Sequence, residues 1–364
     1  MGFEITAIVG EASTGKTGGE QYDARLLEAA KRTGIQVDYI TWEQSVLDRW
    51  MSAAIVWRFR DISRTLWLTW KVWRSSGDVF IDVWMAPYLI LWATFSNRHI
   101  TLMVHHLRAH LESGGLKQAW IAKGETLLVN RAAHILTVSR SSQQQIQGLL
   151  KHDVNIDIIP PGFERHQVLG IIQQQKNTET VFLFVGHLTK AKGVLDLVKA
   201  AALLDKKVAW KLYIVGSATA ESETATTLQQ LNQEYDLQSR IELCGRVSGE
   251  ELQALYQMAD IFVLPSYWEG YGIVFLEAMA EGLPVISTTA GAIPEVVIDG
   301  ETGLLVEPGD VKALSLAMEK LLLSEEERQL LGQQGQQTAL VAPDWKEVEK
   351  RFDAWWLARV EDAA

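Results

Sequence analysis

The stretch 261–287, IFVLPSYWEGYGIVFLEAMAEGLPVIS, decides the fold of this chain. An apolar run at 261–264 is followed by a loop containing Gly270 and Gly272, then by a segment of helical period and a second apolar run at 285–287. This order predicts a strand, a helix and a second strand of a parallel sheet. Glycines let the backbone approach a ligand closely, and the N-terminus of the following helix attracts anions. The loop therefore predicts a site for a diphosphate group.

Short apolar runs alternate with helical segments in both directions from this stretch. Strands are predicted in the first half at 5–9, 37–40, 79–83, 100–105 and 135–139, and in the second half at 181–185, 211–215, 241–244, 261–264 and 285–287. Each set predicts one doubly wound parallel sheet, so the fold class is α/β. Two prolines and a glycine end an apolar run at 158–162, which predicts the domain boundary there.

Composition narrows the class of protein further. Of the 364 residues, 48% are hydrophobic and 22% charged, which is typical of folded globular chains. The net charge is −11 and the acidic excess lies beyond residue 165, which argues against a nucleic-acid partner. Cys244 is the only cysteine, and the N-terminus lacks the features of a signal peptide, so we expect a cytoplasmic protein. The apolar stretch 79–95 contains Asp82 and Pro87 and predicts a buried strand and helix, not a membrane span.

Two carboxylates, Glu269 and Glu277, flank the glycine loop. Either one alone is more typical of a solvated charge or a helix cap. Together with the glycines they form an E-x7-E pattern that resembles the signature of retaining glycosyltransferase family 4. The resemblance covers most of the chain, in FVGHLTKAKG (184–193), LYIVG (212–216), LCGRVSGEELQALYQMADIFVLPS (243–266), AGAIPEVVIDGETGLLVEPGD (290–310) and MVHHL (103–107).

The resemblance implies a GT-B fold, in which two Rossmann-like doubly wound domains face each other across a cleft. The first domain would comprise residues 1–162 and bind the acceptor, and the second would comprise 163–343 and bind the nucleotide sugar. A final helix, about 344–364, would cross back to the first domain. The implied activity is retaining transfer of a hexose from a UDP- or GDP-linked sugar to an acceptor hydroxyl. No cofactor is implied, and since the sequence has no D-x-D motif we predict no metal.

The resemblance also assigns site residues. Glu269 would contact the transferred sugar, Lys192 would stabilise the leaving diphosphate, and His105 would hold the sugar from the opposite domain. Glu277 would accept hydrogen bonds from the ribose. The catalytic residues are thus predicted to be His105, Glu269 and Lys192. The predicted donor-binding residues are Gly18, Gly19, Gly186, His187, Lys192, Arg246, Val247, Gly270, Tyr271, Gly272, Ile273 and Glu277.

The phosphate loop departs from the family pattern at His187, where the family usually has an arginine beside its lysine. An imidazole with an ordinary pKa near 6.5 is only partly charged at neutral pH. Two alternatives are open: His187 contacts the diphosphate in its charged form, or Lys190 substitutes for the arginine.

Other functions compete with the transferase. Residues 10–17, GEASTGKT, match a P-loop, in which Lys16 would bind phosphate and Asp82 could hold magnesium. That interpretation leaves the second half of the chain unexplained, and Lys16 is otherwise a surface charge or a contact to donor or acceptor. A dinucleotide oxidoreductase would need a G-x-G-x-x-G turn, which the first strand lacks. A GT-B epimerase of sugar nucleotides, or a binding protein without catalysis, would keep the same donor loops.

The stretch 49–74 interleaves basic residues with five tryptophans. Its basic residues are Arg49, Arg58, Arg60, Arg64, Lys71 and Arg74, and its tryptophans are Trp50, Trp57, Trp67, Trp70 and Trp73. One alternative is a core helix whose buried face is formed by Ile62, Leu66, Trp70 and Trp73. The other is a peripheral contact with the inner membrane face, where tryptophan and arginine are favoured, and a lipid-linked acceptor.

Overall fold

The computed structural model describes residues 4–9, 18–41, 57–109, 114–164, 179–217 and 221–362, with the backbone alone at 57–63, 222 and 362. The chain divides into two compact units. The first consists of Met1–Gly162 together with Trp345–Ala364, and the second of Phe163–Asp344.

The first unit contains a parallel sheet of six strands in the order β2-β1-β3-β4-β5-β6. The strands are β1 (Glu4–Ile8), β2 (Gln36–Ile40), β3 (Asp78–Asp82), β4 (Ile100–Val104), β5 (His134–Thr137) and β6 (Ile156–Ile158). Five of them agree with the predicted runs to within two residues. β6 was not predicted, because it has only three residues and ends just before two prolines.

The helices of this unit are α1 (Gly18–Arg32), α2 (Trp57–Arg74), α3 (Ala86–Phe95), α4 (Gly115–Val129), α5 (Arg140–Gln147) and α13 (Trp345–Asp362). The apolar stretch 79–95 forms β3, a short 3-10 turn and α3, with Pro87 in the first turn of the helix where its missing N–H is tolerated. The strand and helix predicted there are confirmed. Within the described ranges, no helix is long and apolar enough to cross a membrane.

The final helix, α13, packs on α1. Trp356 Nε1 donates a hydrogen bond to the Leu26 carbonyl at 2.9 Å, and the rings of Tyr22 and Phe352 meet edge to face at 4.9 Å. Arg25 forms an ion pair with Glu349 at 2.7 Å. The chain therefore returns to its first unit at its end, as the resemblance implied.

The second unit contains another parallel sheet of six strands, in the order β12-β11-β10-β7-β8-β9. The strands are β7 (Thr180–Val185), β8 (Trp210–Val215), β9 (Ile241–Gly245), β10 (Ile261–Val263), β11 (Val285–Thr288) and β12 (Gly303–Val306). The helices are α6 (Val194–Ala202), α7 (Ser222–Glu234), α8 (Gly249–Met258), α9 (Ile273–Ala280), α10 (Ile293–Val296), α11 (Val311–Leu323) and α12 (Glu325–Val341). The five predicted strands are present, and β12 was missed because it lies among glycines and acids.

The buried face of α2 differs from the predicted one. Leu68 and Val72 are the side chains that pack into the core beneath this helix. Leu66, Trp70 and Trp73 were expected to face the core, yet they are 58%, 49% and 62% exposed. The helical period was right but the phase was wrong, because the tryptophans outweigh smaller residues in any hydrophobicity pattern.

Candidate active site

The loops predicted to bind the donor begin at two neighbouring strands of the second unit. β7 pairs with β10 on one side and with β8 on the other, so the strand order reverses there, and ligands bind at such points in open parallel sheets. The loops after β7 and β10 are joined by a hydrogen bond from Tyr267 N to Ala191 O at 2.8 Å. Gly193 has a φ of +67°, and a Cβ there would lie 2.0 Å from Pro265 O. The two loops can approach this closely because that position has no side chain.

Glu269 lies at the junction of these loops and is buried. Its Oε1 atom accepts hydrogen bonds from Lys192 Nζ at 2.6 Å and from Ser266 Oγ at 2.7 Å. Its backbone carbonyl accepts from Ala292 N at 3.0 Å. Two side chains that the resemblance placed at the sugar and the diphosphate are thus in direct contact with each other, and Ser266 fixes the carboxylate.

Glu277 projects from α9, whose N-terminus follows Gly272. That glycine has a φ of +93°, and a Cβ would lie 2.5 Å from the Phe275 ring, so an L side chain does not fit there. Tyr256 OH donates to Glu277 Oε2 at 3.1 Å. Burial, followed by the charge of Glu277, raises the pKa of Tyr256 well above its usual value, so the phenol stays a donor. Tyr256 therefore orients Glu277 at the first turns of the helix.

The remaining residues predicted to bind the donor lie in loops at the same edge of the sheet. Gly186 follows β7 and His187 next to it is exposed. The backbone N–H of Lys190 donates to Glu221 Oε2 at 3.0 Å, and its Nζ lies 3.9 Å from Glu223 Oε2. Arg246 and Val247 follow β9, two strands away from β7. Gly270 and Tyr271 lie in the loop before α9, which begins at Ile273.

In the first unit, His105 follows β4 directly, as predicted. Its Nε2 atom lies 2.9 Å from Asp23 Oδ1, and the Tyr22 ring meets the imidazole edge to face at 5.3 Å. Gly19, at the start of α1, packs against the same ring: a Cβ there would lie 3.5 Å from it. Burial alone lowers the pKa of His105, but the charge and hydrogen bond of Asp23 outweigh it and raise the pKa above its ordinary value. Asp23 therefore favours the charged form of the imidazole.

Asp82 ends the neighbouring strand β3 and belongs to the same cluster. Burial, followed by the negative charge of Asp23, raises the pKa of Asp82 to about 7. Its Oδ1 atom accepts a hydrogen bond from Trp84 N at 3.0 Å. At the carboxyl ends of β3 and β4, the imidazole of His105 thus interacts with two carboxyl groups, Asp82 of β3 and Asp23 of α1.

Asp23, Tyr256 and Ser266 were not predicted as site residues. Asp23 carried a signal, because it is an acid on the otherwise apolar face of α1 that also holds Tyr22, Leu26 and Leu27. Ser266 and Tyr256 carried none, since a serine after a strand and a tyrosine in a helix occur everywhere. The P-loop match, including Lys16, lies outside the described residues. In the ranges that the structure describes, no group of three or more histidine, cysteine or acidic residues could hold a metal ion.

Two parallel six-stranded sheets with flanking helices, one of them carrying a paired-carboxylate loop at its carboxyl edge, define a two-domain α/β protein of the GT-B class. Family models agree: Glycosyltransferase Family 4 matches residues 16–167, and Glycosyl transferases group 1 matches residues 171–338. The chain therefore belongs to the group 1 glycosyltransferases of GT-B fold and is a glycosyltransferase. The predicted family and the predicted GT-B fold are confirmed.

Individual proteins show the same likeness. D-inositol 3-phosphate glycosyltransferase from Corynebacterium diphtheriae is 32% identical over 297 residues, which cover 76% of this chain and 65% of that protein, just under two thirds of its length. Sucrose-phosphate synthase from Thermosynechococcus elongatus has the same fold, with a TM-score of 0.79 and 21% identity over 100% of both chains. HepE from Anabaena, solved in complex with UDP-glucose, has a TM-score of 0.72 and 17% identity over 99% and 100% of the two chains.

Proposed function

We propose that this glycosyltransferase moves a hexose from a UDP- or GDP-linked sugar to an acceptor hydroxyl with retention of configuration and without a metal. The observation that carries the proposal is the cluster of Glu269, Lys192 and Ser266 beside the N-terminus of α9. A cation, a helix N-terminus and a fixed carboxylate are what departure of a diphosphate from a sugar carbon requires.

The proposed reaction assigns one task to each group. Lys192 and the first N–H groups of α9 stabilise the negative charge that develops on the leaving diphosphate. Glu269 accepts hydrogen bonds from hydroxyls of the transferred sugar and orients it. Glu277, held by Tyr256, accepts from the ribose. The acceptor oxygen attacks the sugar carbon on the face that the diphosphate vacates, and a phosphate oxygen takes the acceptor proton.

Nucleotide identity is tested with a thermal-shift panel of UDP, GDP and ADP and of their sugars. A ligand at about 100 times its dissociation constant stabilises a protein by roughly 2.7 kcal/mol. The complex of HepE with UDP-glucose supports UDP as the nucleotide to test first. If no member of the panel stabilises the protein, a UDP-, GDP- or ADP-linked donor is excluded.

Transfer itself is tested by the release of nucleoside diphosphate. We expect release that depends on an acceptor, and an anomeric proton in the product with the same configuration as in the donor by NMR. Release without any acceptor requirement, or conversion of the sugar nucleotide to its epimer, would instead support the epimerase. Binding without any release would support a protein that only binds the nucleotide sugar.

On the acceptor side we propose peripheral contact with an anionic membrane through α2. Leu66, Trp70 and Trp73 form an exposed apolar face on this helix. Lys71 and Arg74 lie over the rings of Trp67 and Trp70 at 5.8 and 5.1 Å. Tryptophan beside basic side chains is the chemistry of a membrane interface with anionic lipid.

Co-sedimentation with anionic vesicles tests this contact. We expect binding that weakens steeply with salt, little binding to zwitterionic vesicles, and loss of binding when Trp70 and Trp73 are replaced by serine. Leu316 and Leu323, which are also exposed but lie on α11, provide the matched control when replaced by serine. A parent protein that fails to bind anionic vesicles at low salt makes a soluble acceptor the better choice, for which D-inositol 3-phosphate, named for the corynebacterial relative, is the first to test.

A further inference from the structure

The cluster at the ends of β3 and β4 contains two carboxyl groups for which the mechanism above has no task. Asp23 is only 5% exposed, although it lies on a helix whose other side faces water. A buried carboxylate is costly unless it is paired, and its partner here is the imidazole of His105 at 2.9 Å. The location of Asp23 therefore requires an explanation beyond packing.

The contact decides which atom of His105 can meet a substrate. An imidazole has two nitrogens, and Nε2 is directed at Asp23. A contact of the ring with a ligand therefore falls to Nδ1. Asp23 raises the pKa of His105 through its charge and hydrogen bond and so favours the form in which Nδ1 also carries a proton, and a protonated Nδ1 is a hydrogen-bond donor. Gly19 and Tyr22 pack against the ring and restrict its rotation.

We propose that Asp23 is a positioning residue for His105, holding its ring through Nε2 so that Nδ1 is the nitrogen left to meet an oxygen atom of the substrate. The proposal rests on the proposed function, which supplies the substrate that His105 would contact. It adds a residue, Asp23, whose carboxylate acts through the imidazole and not on the substrate.

The groups around His105 influence the pH range in which its imidazole is charged. Asp23 lies on α1 and Asp82 at the end of β3, with Glu20 of α1 acting in turn on Asp82. From α5 the neighbour is Ser142, whose hydroxyl donates to the His105 carbonyl at 3.1 Å and does not titrate. Tyr22 stays neutral because burial raises its pKa well above its usual value. On the same loop, Arg108 lies over the Trp84 ring at 4.8 Å. Asp82 ionises in the neutral range, and its negative charge then adds to that of Asp23.

The experiment compares Asp23→Asn with Glu28→Gln, a charge-neutralising change on the same helix at a residue that pairs with Lys31 and does not touch His105. An NMR titration of the imidazole signals, assigned with His105→Gln, needs no substrate. We expect the titration midpoint of His105 to fall in Asp23→Asn and to be unchanged in Glu28→Gln. We expect turnover to fall about ten- to hundredfold, as when the carboxylate partner of a metal-binding histidine is removed, with donor KM nearly unchanged.

The possible results separate cleanly. An equal midpoint in Asp23→Asn and the parent would overturn the proposal, and so would an unchanged kcat in a variant whose midpoint has fallen. Asp23→Glu keeps the charge and should recover part of the turnover. If the role of Asp23 were merely structural, Asp23→Glu would lose as much turnover as Asp23→Asn, and both variants would unfold at a lower temperature than the parent. A parent enzyme that turns over no sugar nucleotide would overturn the proposed function instead, while the titration still decides whether Asp23 controls the charge of His105.

Discussion

Replacing Glu269 by glutamine keeps the shape of the side chain and the hydrogen bond from Ser266 but removes the negative charge beside Lys192. A sugar hydroxyl bonded to a charged group contributes about 1.5–3 kcal/mol, and its loss corresponds to a fall of roughly ten- to hundredfold in turnover. The bare nucleoside diphosphate has no sugar to contact Glu269. Its affinity should therefore not fall in this variant.

The ion pair between Lys192 and Glu269 gives a second reason why the affinity for the bare nucleoside diphosphate should not fall in Glu269→Gln. Lys192 and Glu269 are 27% and 9% exposed as side chains, so water screens their attraction only in part. In the free enzyme, the carboxylate competes with an incoming diphosphate for Lys192. Glu269→Gln removes that competition, and affinity for the diphosphate should be unchanged or up to about fivefold tighter, the roughly 1 kcal/mol that a partly exposed pair contributes.

Glu277→Gln should behave in the opposite way. The ribose is present in the bare nucleotide, so a lost charged hydrogen bond weakens nucleotide binding about tenfold or more. Glu281→Gln, one turn further on and bonded to Gln253, is the matched control. Calorimetry with the nucleotide chosen by the thermal-shift panel measures all three. Equal losses of nucleotide affinity in Glu269→Gln and Glu277→Gln would refute the division of roles.

Further predictions concern single groups. If charged His187 binds the diphosphate, donor affinity falls as pH rises from about 6 to 8, and His187→Arg flattens that dependence; a pH-independent dissociation constant excludes the contact. Since burial raises the pKa of Asp82 from 3.8 to about 7, the folded state binds this proton more tightly than the unfolded state, and stability is lost as pH rises between these values. Asp82→Asn should then be more stable than the parent at pH 8 but not at pH 4 in urea denaturation, and equal gains at both would contradict the burial argument. Gly193→Ala should cost about 1–3 kcal/mol of stability, because its φ of +67° and the nearby Pro265 carbonyl leave no room for a Cβ. Gly249→Ala, where a Cβ meets open space, is the control, and similar unfolding temperatures for both would show that the loops relax.

Ten strands of the two sheets could be predicted from the sequence, because buried parallel strands are apolar runs bounded by loop residues. β6 and β12 were missed because three and four residues beside prolines, glycines and acids do not form a distinct run. The face of α2 was predicted in the wrong phase because hydrophobicity cannot distinguish a tryptophan that packs inward from one that is exposed.

The candidate site was predictable to a different degree. Glu269, Glu277 and His105 could be located from the sequence because each follows or flanks a recognisable strand end. Lys192 was predicted as well, but the contacts of these residues with their partners were not, because a hydrogen bond between residues far apart in the chain depends on how the helices pack. Asp23 and His105 are 82 positions apart, and Lys192 and Glu269 are 77 apart.

Ser266, Tyr256 and Asp23 share one physical role, which is to orient a functional side chain before the substrate binds. Glu269 is fixed by Ser266, Glu277 by Tyr256 and His105 by Asp23, in each case through a buried or half-buried group. A polar group that is already oriented before the substrate arrives does not have to be reorganised as charge develops in the transition state. Substitutions at Ser266, Tyr256 and Asp23 should therefore reduce turnover although none of the three is assigned a contact with substrate. The effect should be largest at Asp23, because there the partner determines the charge of the functional group as well as its direction.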